Sequence, residues 1–257
     1  MVNTEVEKQM QELHKVPLTL LENPNMVQVS DNWIKIGALN VRGYLSHISD
    51  IKKDPYVNKL DVICFTETHL HPDNNLAPNV LPRGYDVFRF DQDEAHLQGN
   101  ITQGGGVMIL AKDLLQAVSK DAVIPNGLEC RCVLLSLLGA EKKLCITLIY
   151  RPPQLTTQRF KILLEQLMTK IPKSKFPTAV MGDFNDNQVK DTNSPILSYM
   201  NRIGFRQLIR RPTTDNGSLL DHIYFNWKTA DFKVDVIDTY YSDHDLVVIS
   251  INKKTLI

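Results

Sequence analysis

The chain has 257 residues, of which 29 are basic and 29 acidic, and 43% of its residues are hydrophobic. This length and apolar content suit a layered globular protein with a sizeable core, built as one large domain or two small ones. Because the formal net charge is zero, attraction to a polyanion would depend on a local basic surface. The sequence contains no apolar run near 18 residues, so we expect no association with a membrane.

The four cysteines lie mostly inside apolar runs and show neither a CxxC pair nor a zinc-knuckle spacing: Cys64, Cys130, Cys132 and Cys145. This pattern predicts reduced, buried thiols in a cytosolic or nuclear protein. The first residues lack a basic segment followed by an apolar one, so we expect no secretory signal.

Residues 1–30 differ in texture from the rest of the chain. They are polar and weakly helical at first, and Pro17 and Pro24 then interrupt them. We interpret this segment as an N-terminal extension outside the core, and residues 31–257 as the core domain.

From Trp33 onward, short apolar runs recur at regular intervals, which is typical of β-strands. We predict strands at residues 34–39, 60–65, 85–90, 106–110, 131–138, 144–150, 178–181, 222–225 and 246–251. Helices are predicted at 46–53, with Ser46 as its N-cap, at 157–170 and at 195–203. Many short strands with few helices predict a four-layer α/β sandwich, in which two packed mixed β-sheets are flanked by helices.

Polar side chains stand at the ends of these predicted strands: Asn40, Glu67, Tyr150, Asp183, Asn185, Asp221, Asp243 and His244. If the strand ends converge, the carboxylates and amides form a set of hard oxygen ligands, which suits Mg²⁺ or Mn²⁺ rather than zinc. Such an ion polarises a phosphoryl oxygen, and a histidine held by a carboxylate adds electrostatic or proton-transfer help. The set therefore favours hydrolysis of a phosphate ester.

Taken one at a time, these residues also have ordinary structural explanations. Asn40 suits a turn, Glu67 a solvated loop, and the segment from Gly182 to Asn185 a plain turn. Their joint occurrence at strand ends is what favours the functional interpretation.

The order of the surrounding segments carries a more specific signal. The segments are Leu39-Asn40-Val41-Arg42-Gly43, Thr66-Glu67-Thr68-His69-Leu70, Ile149-Tyr150-Arg151-Pro152, Gly182-Asp183-Phe184-Asn185, Leu220-Asp221-His222 and Ser242-Asp243-His244. Together they resemble the endonuclease/exonuclease/phosphatase superfamily over residues 33–251. Within it, the sequence is most similar to the endonuclease domain of non-LTR (LINE-type) retrotransposons and related mobile elements.

This resemblance implies a role for each acid and amide near the metal. Glu67 would hold the metal, and Asn40 would help to order the metal ligands. Asp243 would support the same metal or a second one, while Asp183 would orient or activate the attacking water.

The resemblance also implies which residues act on the phosphate. Asn185 would hydrogen-bond the phosphate in the transition state, and Tyr150 would contact the same phosphate. His244, oriented by Asp221, would stabilise the developing charge on phosphorus. Arg42 stands where repair enzymes have an acid, which would place a positive charge beside the phosphate path.

DNA contacts are expected from basic and hydroxyl side chains around this site. Arg202, Arg206 and Arg210 recur every four residues, as on one helix face, although Gly204 and Pro212 argue against a continuous helix. The predicted DNA-binding set is Arg42, Arg151, Arg202, Arg206, Arg210, Arg211, Thr213 and Ser218.

The sequence therefore predicts a divalent-metal-dependent endonuclease that nicks double-stranded DNA and leaves 3′-hydroxyl and 5′-phosphate ends. We expect it to act in the nucleus and to come from a mobile element, with a reverse transcriptase or another element-encoded domain as its partner in the parent polypeptide. The alternatives are an abasic-site repair endonuclease, a phosphoinositide or sphingomyelin phosphodiesterase, and a non-catalytic DNA-binding module.

Overall fold

The computed structural model describes residues 32–74, 76, 80–91, 105–120, 124–137 and 143–256. The predicted N-terminal extension lies outside these residues and stays a prediction. No helix in these ranges is long and apolar enough to cross a membrane.

The described residues form two six-stranded sheets, with strand orders β11-β12-β1-β2-β4-β3 in sheet A and β5-β6-β7-β8-β10-β9 in sheet B. Each sheet contains one parallel pair, β1 with β2 and β7 with β8, among antiparallel neighbours. The strands are β1 Trp33–Asn40, β2 Val62–Thr66, β3 Tyr85–Phe90, β4 Val107–Lys112, β5 Val118–Ser119, β6 Glu129–Ser136, β7 Lys143–Tyr150, β8 Thr178–Asp183, β9 Arg206–Gln207, β10 Asp221–Phe225, β11 Phe232–Ile237 and β12 Leu246–Asn252.

Helices cover the outer faces of both sheets: α1 Ile48–Lys53, α2 Thr157–Lys170 and α3 Pro195–Arg202. The buried apolar faces of α2 and α3 pack with the outward side chains of sheet B, such as Cys130 and Val180. Ile51 of α1 packs with Leu39 and Ile63 on the outer face of sheet A. A third cluster fills the space between the sheets, so the predicted four-layer α/β sandwich with two mixed sheets is confirmed.

Sequence patterns located nine of the strands, with ends within about two residues of those observed. The predicted N-cap Ser46 is wrong, because α1 begins at Ile48 with His47 at the N-cap position and no side-chain capping bond. Strands β5 and β9 have two residues each, too short for a periodic pattern to show. Strand β11 alternates Phe232, Val234 and Val236, a signal that the prediction missed.

In sheet A, strand alternation explains how β1 brings a polar residue into the domain interior. Side chains of a strand point alternately to its two faces. Ile34, Ile36 and Ala38 of β1 face the cluster between the sheets. Asn40 continues the same row at the end of the strand and is fully buried.

Sheet B repeats this arrangement. In β8, Ala179 and Met181 face the cluster between the sheets, and Asp183 continues their row. In β10, Asp221 precedes the inward-facing Ile223. The register places Asp183 opposite Asp221 on one side and beside Tyr150 of β7 on the other. The polar residues therefore lie between the sheets, where the apolar core ends.

Close approach of β7 and β8 requires a glycine just before Asp183. Gly182 has a φ of 130°, and a Cβ added there would lie 2.1 Å from the carbonyl oxygen of Ile149. Gly127 also has a positive φ, of 86°, but an added Cβ would meet nothing within 4 Å. A comparison of substitutions at the two glycines thus distinguishes the cost of a positive φ from the cost of steric overlap.

We expect Gly182→Ala to lower the free energy of unfolding by about 3 kcal/mol or more, because it adds overlap with a sheet backbone to an unfavourable φ. Gly127→Ala should cost only about 1 kcal/mol, from φ alone. Urea denaturation of both variants measures the difference, and equal losses would contradict the steric explanation.

Candidate active site

Asn40 joins carboxylates that come from the two different sheets. Its Nδ2 donates to Oε1 of Glu67 at 2.8 Å and to Oδ2 of Asp183 at 2.9 Å. Its Oδ1 accepts the backbone N–H of Arg42 at 3.2 Å. Since the amide nitrogen faces both acids, Asn40 orders the two carboxylates, and its assignment as a metal ligand stays a prediction.

Glu67 and Asn185 are held in backbone conformations that L-residues rarely adopt. Their φ angles are 49° and 44°, in the left-handed region. Such a conformation costs about 1 kcal/mol or more for a residue other than glycine, and it concentrates at functional sites. At Glu67, the backbone oxygen accepts the N–H of Gly43 at 2.8 Å, which holds the strained turn.

A buried pair, Asp221 and His244, lies beside these acids. His244 Nδ1 and Asp221 Oδ2 are 2.8 Å apart, and both side chains are almost fully buried. The Thr213 hydroxyl donates to the same Oδ2 at 2.7 Å and accepts the N–H of Asp221 at 3.1 Å. The predicted orientation of His244 by Asp221 fits this geometry, with Nε2 as the ring nitrogen turned away from the carboxylate.

Thr213 was predicted to contact DNA, and the structure corrects this. The residue is fully buried and its hydroxyl is bonded to Asp221. It therefore acts through Asp221, by fixing the carboxylate that orients His244.

Neighbouring carboxylates raise the pKa values of His244 and Asp183. Burial by itself lowers the pKa of His244, but the charges of Asp221, Asp183 and Asp243 outweigh it and raise this pKa to about 9. Burial, followed by the charge of Asp221, raises the pKa of Asp183 to about 7. A cation beside Asp183 would relieve this cost.

The acids and the histidine of the site offer ligand atoms for a metal ion. Ligand atoms of Asp183, Asp221 and His244 lie within 4.8 Å of one another. However, Asp221 Oδ2 and His244 Nδ1 are bonded to each other, so they form a hydrogen-bonded pair rather than a free ligand pair. Asp243 adds an oxygen, since within the described residues its Oδ1 is buried without a hydrogen-bond partner. Glu67, Asp183 and Asp243 are oxygen donors of the kind that a hard cation prefers, and which of them would bind it together stays a prediction.

Tyr150 and Ser242 complete the interior of the site. Tyr150 is buried, and this burial together with the charges of Glu67 and Asp183 raises its pKa well above the usual range. Its hydroxyl therefore keeps its proton. Ser242 donates to the backbone oxygen of Asn40 at 2.7 Å, so its hydroxyl fixes the loop before β12 against β1.

Asn185 is hydrogen-bonded to Asp183 and to Arg151, the residue that follows β7. Its backbone N–H donates to Asp183 Oδ1 at 2.8 Å, and its Nδ2 donates to the backbone oxygen of Arg151 at 2.8 Å. These bonds fix the side chain at the edge of the site, where it was predicted to meet a phosphate.

Arg151 was predicted to bind DNA, and its geometry corrects this. Only 7% of the residue is exposed. Its guanidinium donates to the backbone oxygens of Leu155 at 2.9 Å, Phe184 at 3.3 Å and Asn185 at 3.2 Å, and to the Thr157 hydroxyl at 3.0 Å. Arg151 therefore anchors the loop that carries Asn185.

The predicted arginine ridge is not a helix face. Helix α3 ends at Arg202, whose guanidinium lies 3.7 Å from Glu165. Arg206 lies in β9 and pairs with Phe225, at the end of β10 remote from Asp221 and about 13 Å along the strand. We therefore remove Arg202 and Arg206 from the predicted DNA-binding surface.

Three other predicted DNA-binding residues lie in or near the loop beside His244. Arg210 and Arg211 are exposed, and Arg211 donates to the backbone oxygen of Val236. Ser218 is half-buried and accepts a bond from Asn187 at 2.9 Å. Thr214 of this loop forms a β-bridge with His244. These three residues stay predictions.

Sequence reasoning assigned no role to two polar residues near Glu67 and Tyr150. His69 Nε2 lies 3.5 Å from Glu67 Oε2, and its position directly after the Thr66-Glu67-Thr68 segment was the available signal. Glu129 starts β6 opposite Tyr150 and accepts the N–H of Gly106 at 2.6 Å. It lies at the start of a strand, as Asp221 does.

A buried network behind the Asp183 loop was also missed. His222 stacks on Phe184 with ring centroids 4.9 Å apart, and Gln188 donates to the Tyr224 hydroxyl at 2.8 Å. Burial lowers the pKa of His222, so this ring stays neutral. No pattern in the sequence indicated that these residues pair.

We expect the metal-free protein to lose stability as pH rises. A histidine whose pKa is raised from 6.5 to about 9 on folding stabilises fully below 6.5, and this stabilisation is lost as pH rises through about 9. A carboxyl raised from 3.8 to about 7 makes folding less favourable as pH rises between those values.

Chemical denaturation of wild type and variants in EDTA at pH 5, 7 and 9 measures the free energy of unfolding. Asp183→Asn should remove the part of its decline that occurs below pH 7, and His244→Gln should remove the part that occurs above pH 7. Variants whose pH profiles run parallel to the wild type would contradict the assigned pKa directions.

We expect Arg151→Met to lower the free energy of unfolding by about 2 kcal/mol, because it leaves backbone oxygens of the Asn185 loop without donors. The exposed Arg159→Met in α2 is the matched control and should change it by less than about 0.5 kcal/mol. Thermal or urea denaturation tests this, and equal effects would mean that Arg151 is not an anchor.

Comparison with known proteins gives the family. The sequence model of the Endonuclease/Exonuclease/phosphatase family matches residues 37–244. No curated protein gives a significant sequence match.

Solved structures of low sequence identity share the fold. The endonuclease domain of TRAS1, a telomere-specific non-LTR retrotransposon, is 13% identical with a TM-score of 0.64, covering 86% of this chain and 99% of that one. The 3′-5′ exonuclease NExo from Neisseria meningitidis is 14% identical with a TM-score of 0.63, covering 85% and 100%. The human Nocturnin catalytic domain is 17% identical with a TM-score of 0.62, covering 85% and 93%. With its motif residues gathered between the two sheets, the chain belongs to the endonuclease/exonuclease/phosphatase family.

Proposed function

We propose that this protein is a divalent-metal-dependent endonuclease that hydrolyses a phosphodiester bond and nicks double-stranded DNA. The observation that carries the proposal is the bonded chain Glu67–Asn40–Asp183 beside the buried pair of Asp221 and His244. Oxygen donors on one side and a cationic imidazole on the other suit a phosphate whose charge increases during hydrolysis.

The side chains divide the work of hydrolysis between them. Mg²⁺ or Mn²⁺ bound by Glu67 and Asp183, with Asp243, would polarise a phosphoryl oxygen and stabilise the charge of the leaving group. Asp183 orients the attacking water through a carboxylate that Asn40 holds in place. His244, kept protonated by Asp221, donates from Nε2 to the developing charge on phosphorus.

Two neutral donors complete phosphate binding in this mechanism. Tyr150 keeps its proton because burial and nearby carboxylates raise its pKa, so its hydroxyl donates a hydrogen bond. Asn185, fixed by Asp183 and Arg151, lies beside it. Cleavage of the bond between phosphorus and the O3′ atom would leave 3′-hydroxyl and 5′-phosphate ends.

The biological setting of the proposal is a mobile element. Its support is the fold shared with a retrotransposon endonuclease domain, together with the Thr66-Glu67-Thr68 segment. A nick with a 3′-hydroxyl would prime reverse transcription, so we propose a reverse transcriptase or another element-encoded domain in the parent polypeptide. The site of action would then be the nucleus, where the target DNA lies.

We expect the purified protein with Mg²⁺ to convert supercoiled plasmid to open circles, and EDTA to abolish this. Glu67→Gln should reduce the nicking rate at least about 100-fold and His244→Ala by a similar factor, since each removes charge stabilisation in the transition state. Glu165→Gln on the exposed face of α2 is the matched control and should retain the wild-type rate.

Nicking that persists in EDTA, or that survives both active-site substitutions, would contradict the proposal. Ligation and primer extension at the nicks test the predicted end chemistry. A strong preference for a duplex with one abasic site over intact DNA would assign the protein to DNA repair instead.

A further inference from the structure

Two of the four carboxylates of the site have cationic partners within the chain. Asp221 is bonded to His244 at 2.8 Å. Asp243 Oδ2 lies 3.0 Å from Nη1 of Arg42, and two thirds of the Asp243 side chain is shielded from solvent. In each of these pairs, the charge of the acid is compensated by the protein itself.

The other two carboxylates lack such a partner of fixed charge. Glu67 and Asp183 are joined through the neutral amide of Asn40, and the imidazole of His69 lies 3.5 Å from Glu67. A divalent cation would therefore meet Glu67 and Asp183 without a competing guanidinium, and Asp243 with one.

Arg42 occupies a backbone position that does not favour arginine. Its φ is 46°, in the left-handed region that glycine adopts at little cost, and Gly43 follows with a φ of 109°. Exposed ion pairs contribute little to stability. Stability therefore gives no reason for arginine at this position, whereas a side-chain function does.

The orientation of Arg42 suits a second role at the substrate. Its backbone N–H fixes the Asn40 amide, and one guanidinium nitrogen is on Asp243. The side chain is 56% exposed, so its other donors are accessible to a further partner. A guanidinium can bind a carboxylate and a phosphate oxygen at the same time.

We propose that Arg42 is a built-in second cation of this site: its guanidinium neutralises Asp243, competes there with the divalent cation, and contacts the DNA phosphate. The inference rests on the proposed metal-dependent function and adds a residue to it.

The first test is a Mn²⁺ titration followed by the electron paramagnetic resonance of free Mn²⁺. The variants are Arg42→Gln and Arg42→Gly, both neutral, and Arg42→Lys, which keeps the charge. Arg42→Gly suits the left-handed backbone, so it removes the charge without a folding penalty. Both neutral variants should bind Mn²⁺ about tenfold more tightly than wild type, because the guanidinium no longer competes for Asp243, and Arg42→Lys should stay close to wild type.

The second test measures binding of a short DNA duplex in EDTA by fluorescence anisotropy at several salt concentrations. The neutral variants should bind DNA several-fold more weakly, and the slope of affinity against salt should fall by about one unit. Arg42→Lys should stay close to wild type. Opposite changes in metal and DNA affinity distinguish this role from a structural one, because a disturbed site would weaken both.

The outcomes separate the two proposals. Identical Mn²⁺ isotherms for wild type and both neutral variants would overturn the role of Arg42 and leave a metal-dependent nuclease intact. No Mn²⁺ binding by any of the proteins would reject the metal-dependent function and this inference with it.

Discussion

A single buried amide connects the two sheets at the point where their apolar core ends. Asn40 closes β1 in sheet A, and Asp183 closes β8 in sheet B, with 2.9 Å between the bonded atoms. An unpaired buried amide or carboxylate costs several kcal/mol. This is a large part of the free energy of unfolding of a typical domain. The sheets are therefore held in the one alignment that also brings Glu67 to Asp183.

Near the bond between Asn40 and Asp183, two residues keep an unfavourable backbone conformation because hydrogen bonds from other segments hold them. Glu67 and Asn185 have left-handed backbones, and each backbone oxygen accepts a hydrogen bond from another segment: Glu67 from the N–H of Gly43, and Asn185 from the Arg151 guanidinium. Arg151 contributes by turning its guanidinium inward, under the loop that carries Asn185. A basic residue directly beside a motif is thus structural here. Arg42, by contrast, keeps an exposed guanidinium beside Asp243.

Strand positions were readable because burial between two layers imposes a strict pattern on each strand. The run of β8 from Thr178 to Met181 is continuously apolar or small, and its polar end marks the edge of the core. The arginines show where such reasoning fails. A spacing of four residues suggested a shared helix face, but α3 ends at Arg202, and Arg206 lies in β9 opposite the end of β10 that is remote from the site. Local spacing carries no information about where a chain turns.

The sequence by itself determined the layers and the identity of the polar strand ends, because alternation and apolar runs are local properties. It also gave the order of motifs from Asn40 to His244. Only the tertiary structure decided which groups pair: Asn40 with two acids, Thr213 with Asp221, and Arg42 with Asp243. These pairings join residues up to about 200 positions apart, and their direction depends on side-chain atoms a few ångströms from one another. Such distances are set by how the two sheets pack, which no local pattern encodes.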